Sequence, residues 1–390
     1  MQKRIDLTFF IYIAILAILF MVTMESSIHL YLTEEYDPNY YIYQTLLYAL
    51  AGFVVIKNRK QIKVDGIMKL IWIFCLLCFF PSLVYSQTIS IRSVAAIIFN
   101  TFIIPFAILN GNWLGNKLSQ QKDHDFFLLL LQIPVLYSMF LLRSFNLEGY
   151  WFNADAAFVV IVFLPLIFFF KRNWLCVFFA FIYIVFSLTA AKRSILVFVA
   201  FCLVVYIFYL LFGFKEVRRN RFLIRLFLFI VISSGIFYIV SNENSGLMHT
   251  IERTESLGGM TDDNGRMEIY STVSSAIFNS DFFSTLFGHG HMAVNSTFGM
   301  GAHNDILEIG YDYGIIATFL YVIIIFCYIF KTYTCVKHKY YKKAMRIGIS
   351  VASIIILGML NCIIESTILE YTMFLALGCA LTLKDRLTIQ

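Results

Sequence analysis

The chain has 390 residues, of which 60% are hydrophobic and 14% charged, and its apolar segments recur at lengths that suit bilayer-spanning helices of about 20 residues. These segments are too long and too continuously apolar for barrel strands, so the expected fold class is an all-α integral membrane protein. The net charge of +6 is dispersed over short loops and implies no nucleic-acid partner.

The N-terminus, Met1-Gln2-Lys3-Arg4 ahead of an apolar run, resembles a signal peptide, but no small-x-small cleavage site precedes Glu25, which favours an uncleaved first span. Twelve transmembrane helices are predicted, at 7–24, 41–56, 67–85, 93–110, 126–142, 154–170, 174–190, 194–213, 222–240, 306–330, 347–364 and 367–383. They form a single polytopic membrane domain over 1–390, without a repeat or a low-complexity linker. Pro81, Pro105, Pro134 and Pro165 fall inside spans three to six and predict bends there, which either open a cleft or aid packing. All eight cysteines lie in spans or a cytoplasmic loop, so no disulfide framework is expected, and Cys75-x-x-Cys78 reads as packing.

Orientation follows from the distribution of cations. With both termini cytoplasmic, six of the 30 Lys and Arg fall outside, namely Arg92, Arg143, Lys192, Arg193, Arg253 and Arg266, whereas most acidic residues do. Between spans nine and ten runs one long external loop, 241–302, or 241–305 if counted to the edge of the next span. Within it Tyr270, Val273, Ile277 and Phe278 recur at helical spacing, predicting a surface helix over about 265–279 with Asp262, Asp263 or Asn264 as its cap. Gly288-His289-Gly290 reads as a turn, and Gly299 and Gly301 loosen the chain ahead of His303.

Lys192 and Arg193 occupy a very tight turn between two apolar spans, at headgroup level. A guanidinium there suits bidentate binding of phosphate, and the helix that follows adds unpaired backbone donors; the plainer alternative is a headgroup anchor. Arg266, in the first turn of the surface helix, opposes the helix dipole and needs an anion beside it, either Asp262, Asp263 or Glu268 or a substrate phosphate. His303 stands just before the tenth span, where Asp305 and Glu308 have capping-box spacing that would hold it at the helix mouth. An imidazole can take a proton from a sugar hydroxyl near neutral pH, although lone histidines are often structural. His289, His291 and His303 match no standard zinc spacing, so no metal site and no cofactor is expected.

Ala302-His303-Asn304-Asp305-Ile306-Leu307-Glu308 through Gly310 and Gly314-Ile315-Ile316 resembles the His-Asn signature of the O-antigen polymerase and O-antigen ligase superfamily. Thr189-Ala190-Ala191-Lys192-Arg193-Ser194 and Arg266 with Leu286-Phe287-Gly288-His289-Gly290 resemble two further features of that family, chiefly over the second half of the chain. The resemblance implies a bacterial inner-membrane glycosyltransferase, metal-independent and inverting, acting at the periplasmic face on an undecaprenyl-pyrophosphate-linked oligosaccharide. Arg193 and Arg266, with Lys192 second to Arg193, would hold the pyrophosphate. His303 would activate the acceptor hydroxyl, with Glu308, Asn304 or Asp305 orienting it. The implied partners are lipid-linked donor and acceptor, membrane lipid and a chain-length regulator. Polymerase is preferred to ligase, whose acceptor is the lipid A-core. A lipid-linked oligosaccharide flippase is the alternative of another class, disfavoured because Lys69, Arg225 and Glu370 all sit near span ends.

Overall fold

Sixteen α-helices and no strand make up the residues described by the computed structural model, 7–33, 40–60, 65–85, 91–147, 156–189, 193–212, 266–360 and 367–384. The first five are α1 (Leu7–Thr33), α2 (Tyr40–Lys57), α3 (Gly66–Val84), α4 (Ile91–Gln120) and α5 (His124–Leu147). Then follow α6 (Ala156–Ile161), α7 (Leu164–Ile167), α8 (Asn173–Thr189) and α9 (Arg193–Phe212). A polar stretch carries α10 (Arg266–Asn279), α11 (Phe282–Phe287), α12 (Ala293–Phe298) and α13 (Asp305–Asp312). The chain closes with α14 (Gly314–Lys337), α15 (Tyr341–Leu360) and α16 (Thr367–Thr382).

Among the described residues, six helical segments are long and apolar enough to cross a membrane: Leu7–Ser26, Gly66–Val84, Ile97–Gln120, His124–Leu142, Gly314–Lys337 and Tyr341–Leu360. Five shorter apolar segments accompany them, within α2, α6–α7, α8, α9 and α16. The chain is thus an α-helical, multi-pass membrane protein by length and composition; the six segments among the described residues do not by themselves confirm the twelve expected. The ninth predicted span, 222–240, lies outside the described residues, as does the external loop before residue 266.

Two predicted spans differ from the structure in kind. The sixth, 154–170, is two short helices joined and ended by tight turns, with i to i+3 bonds such as Phe163 N to Val160 O and Phe169 N to Leu166 O. Pro165 lacks the N–H that would continue the ladder from Ile161, which explains the break. The tenth, 306–330, is divided at Tyr313 and Gly314 into α13 and α14, and α14 runs on to Lys337. Helix continues through Pro81, Pro105 and Pro134.

Because lipid is as apolar as leucine, spanning helices associate through close packing and polar contacts rather than through hydrophobic burial. The most intimate pair is α4 and α16. A Cβ at Gly111 would overlap Leu375 O, one at Gly378 would overlap Ile108 O, and Gly115 lies against Thr382 and Cys379. Gly111 and Gly115 are four apart, so one helical face lacks side chains and the backbones touch. A buried chain of bonds ties α1 to the pair: Tyr12 donates to Asn110 Oδ1 at 2.8 Å, and Asn110 Nδ2 donates to the Tyr371 hydroxyl at 2.6 Å.

The broken segment lies wholly inside the bundle, with residues 157–170 buried throughout. Its terminal carbonyls have no helical partner and would be costly to leave bare. Cationic and imidazole donors meet them. The fully buried Arg346 of α15 donates from Nε to Phe168 O at 3.1 Å and from Nη2 to Phe169 O at 3.4 Å, with Phe169 also stacked against its guanidinium. His124 Nε2 lies 3.0 Å from Phe169 O, and Lys342 Nζ donates to Phe170 O at 3.4 Å. The same end of the bundle carries Asp65, the N-cap of α3. Partial burial would raise its carboxyl's pKa, but the Met68 N–H and the Lys331 ammonium hold it below the usual value.

Candidate functional site

The polar stretch between α10 and α14 folds as a small cap with its own core. Val273 and Ile277 of α10 pack with Ala293, Val294, Ala302 and Tyr311, which joins the predicted surface helix to α13. Helix α10 begins at Arg266, and the apolar spacing read from the sequence is the reason it folds here: Val273 and Ile277 face inward one turn apart. Phe278, also counted on that face, is instead 76% exposed. Met267, Phe282 and Phe283 of the cap are exposed as well.

Glycine geometry fastens the cap to the membrane helices. Gly288 and Gly290 have φ of 81° and 97°, which lets the turn donate from His289 N to Tyr311 O at 3.0 Å and from Gly290 N to Asp312 O at 2.8 Å. A Cβ at Gly288 would overlap Asp312 O, and one at Gly314 would overlap Leu286 O. The sequence-predicted turn is therefore a docking point for the end of α13.

Helix α13 concentrates acidic side chains on its buried side. Asn304, with extended backbone, is its N-cap, and its Oδ1 accepts from Ile306 N at 3.0 Å and Leu307 N at 3.4 Å. The expected capping box starting at Asp305 is thus displaced by one residue. Asn304 is as good a cap and precedes Asp305, so Glu308 falls one position beyond the box and its Oε1 accepts from Ala302 N instead. Asp305 Oδ2 accepts from the Tyr321 hydroxyl of α14 at 3.3 Å, and Asp312 Oδ1 accepts from Val294 N at 2.9 Å. All four side chains are buried. Asp305 and Glu308, in the first turn, also complement the helix dipole. Glu308 therefore acts on His303 through the loop it pins, since its buried carboxylate is bonded to the backbone just before the histidine.

His303 is half-buried and has φ of 52°, the left-handed region that costs a non-glycine residue energy. The preceding loop is held by Glu308 and the following helix by Asn304, so the imidazole is presented from a backbone fixed on both sides. The other cap histidines have separate positions. His289 Nε2 lies 3.1 Å from Ser280 Oγ, and burial lowers its pKa while Asp281 opposes that. His291 bridges cap and bundle, with Asn100 Nδ2 3.1 Å from Nε2 and the Tyr313 hydroxyl 2.8 Å from Nδ1. If Asn100 donates, Nε2 accepts and Nδ1 carries the proton. Burial pushes the His291 pKa down to about 4, which favours that neutral form. Among the described residues no group of three or more His, Cys, Asp or Glu side chains is placed to hold a metal ion.

The structure brings some of the sequence candidates together. Asn304, Asp305, Glu308 and His303 form one loop and helix start, and Arg266 opens a helix packed on that unit. No ion pair of Arg266 occurs among the described residues, and its neighbour Glu268 is exposed. Asp262, Asp263, Asn264 and Lys192 lie outside the described residues; Arg193 is the first residue of α9, and its side chain lies outside them as well.

Sequence reasoning passed over Glu370. It stands in the first turn of α16, near a span end as expected, yet it is 1% exposed and neither carboxyl oxygen has a hydrogen-bond partner among the described residues. Asp305 is close enough to interact with it electrostatically. An acidic residue in an otherwise apolar segment was the available signal. Tyr321, Asn100 and Tyr313 gave no comparable signal, because polar tips on aromatic or membrane helices are common. No family model, no curated protein and no solved structure matches this chain.

Proposed function

We propose that the chain is a polysaccharide polymerase of the membrane, joining undecaprenyl-pyrophosphate-linked oligosaccharide repeat units on the outer face of a bacterial inner membrane. The observation that carries this reading is His303, held in a left-handed conformation between the Glu308 and Asn304 anchors, on a cap that exposes Met267, Phe278, Phe282 and Phe283. A lipid-linked substrate presents its sugar at such a boundary. In the proposed step the acceptor hydroxyl gives its proton to the His303 imidazole as its oxygen attacks the anomeric carbon. The carbon–oxygen bond to the diphosphate breaks on the opposite face, and the diphosphate leaves with the electron pair, giving inversion. Arg266 and Arg193, with Lys192 beside it, would stabilise the departing charge.

Reconstitution of the purified protein in vesicles with a lipid-linked repeat unit tests this reading. Elongation is expected for the wild type, with or without chelator, and a loss of at least 100-fold for His303→Ala and for Arg193→Ala. Elongation by both variants at the wild-type rate would refute the site, and elongation abolished by chelator would refute metal independence. Transfer of single units to lipid A-core, without chain growth, would identify the ligase instead.

A second reading draws on Glu370, since buried carboxyls in spanning helices often mark transport pathways. A flippase predicts that Glu370→Gln abolishes movement of the lipid-linked sugar between leaflets and that His303→Ala does not.

A further inference from the structure

A groove of about 710 Å³ opens between α14, the start of α3 and the start of α15, at the opposite end of α14 from the cap. Its size falls in the range of small-ligand pockets, about 300–1,000 Å³. Its chemistry is graded along α14. Ile323, Phe326 and Phe330, with Ile67 across the gap, make an apolar wall, and then come Lys331, Thr334 and His338, with Lys343 of α15 closing the polar end.

At 1.5 Å per residue, Ile323 to His338 covers about 22 Å, close to the depth of one leaflet including its headgroups. Its apolar part, Ile323 to Phe330, covers about 10 Å and its polar part the rest, a division that suits part of an acyl chain beneath a headgroup better than a wholly polar ligand. No acidic side chain lines the groove, although Asp65 reaches Lys331 from its edge at 3.1 Å. The C-terminus of α14 disfavours an anion and the N-terminus of α15 favours one, so the two lysines set the sign. Both have stems long enough to lie along the wall with their ammonium groups at the surface.

We infer that this groove is a binding site for one anionic glycerophospholipid of the leaflet at that face, its acyl chain on the Phe326–Phe330 wall and its phosphate on Lys331 and Lys343. The site is independent of the proposed glycosyl transfer, because it lies at the far end of α14 and uses none of the same residues. A phosphate displaces Asp65 from Lys331 or shares the ammonium with it.

Native mass spectrometry of the full-length protein in detergent, titrated with phosphatidylglycerol or phosphatidylcholine, tests the inference. Retention of one phosphatidylglycerol is expected, at least fivefold in preference to phosphatidylcholine. Lys331→Gln/Lys343→Gln removes that preference, while Arg59→Gln/Lys60→Gln, which takes two exposed cations from the α2–α3 connection, preserves it. Equal retention of the two lipids by the wild type, or a preference that survives loss of both groove lysines, would overturn the site. Full displacement by soluble glycerol phosphate would overturn the lipid assignment in favour of a free phosphate. Should the double variant fail to fold, photoreactive-acyl phosphatidylglycerol decides on the wild type: crosslinks to Ile323–Phe330 or Ile67 support the site, and crosslinks elsewhere contradict it.

Discussion

The bundle around α6–α7 and the cap around α13 solve the same problem with opposite charges. In the bundle, the carbonyls that end a broken helix are met by donors from Arg346, His124 and Lys342. In the cap, the backbone N–H groups that begin helices and loops are met by acceptors from Asn304, Glu308, Asp312 and Asp281. A helix presents bare carbonyls at one end and bare N–H groups at the other, so each region recruits the charge its exposed backbone lacks. The difference teaches where change is tolerated. The bundle is closed by backbone contact between α4 and α16, whereas the cap, beyond its backbone contacts at Gly288 and Gly314, is held by single side-chain bonds that can be removed one at a time.

The sharpest way to break the comparison is Gly378→Leu, which forces a side chain into Ile108 O across the α4–α16 contact. Overpacking in such places costs about 1–3 kcal/mol or more. The expected outcome is loss of a monodisperse protein in size-exclusion chromatography, and normal behaviour would show that α4 and α16 can separate cheaply. The cap should respond next, to acid. His291 takes a proton only near pH 4 in the fold but near 6.5 when released, so stability is full above pH 6.5 and declines as pH falls toward 4. Thermal unfolding of the wild type against His291→Gln at pH 7.5 and pH 5 reads this directly: the gap between the two pH values should narrow in the variant.

Asn304→Ala is milder. Loss of an N-cap costs about 1 kcal/mol, expected as a drop of a few degrees in melting temperature with the bundle intact. The smallest effect belongs to His303→Gly, which relieves a left-handed non-glycine backbone and should leave stability within about 1 kcal/mol of the wild type, on the stabilising side. A large destabilisation would mean that His303 serves the fold.

Much of the helical layout could be read from hydropathy because apolar length is a strong signal, and the surface helix and the Gly288–Gly290 turn were legible from periodicity and from glycine spacing. The break at 162–163 was signalled only by Pro165, and proline left α3, α4 and α5 continuous, so that signal does not decide between bend and break. Capping at Asn304 was missed because Asp305 offers the same chemistry one residue later; only backbone geometry selects between them. Tyr321 and Asn100 join the site through hydrogen bonds distant in sequence, and Glu370 is felt by Asp305 from a helix 65 residues on, none of which local pattern encodes.

The most direct test of the central claim, that His303 acts as the base, is elongation by His303→Gly in vesicles with added imidazole. Glycine keeps the left-handed turn and leaves a gap where the ring stood. The account predicts elongation that is lost without imidazole and restored in part, in proportion to its unprotonated form, when it is supplied. Elongation at the wild-type rate without imidazole, or none at any imidazole concentration in a folded variant, would contradict it.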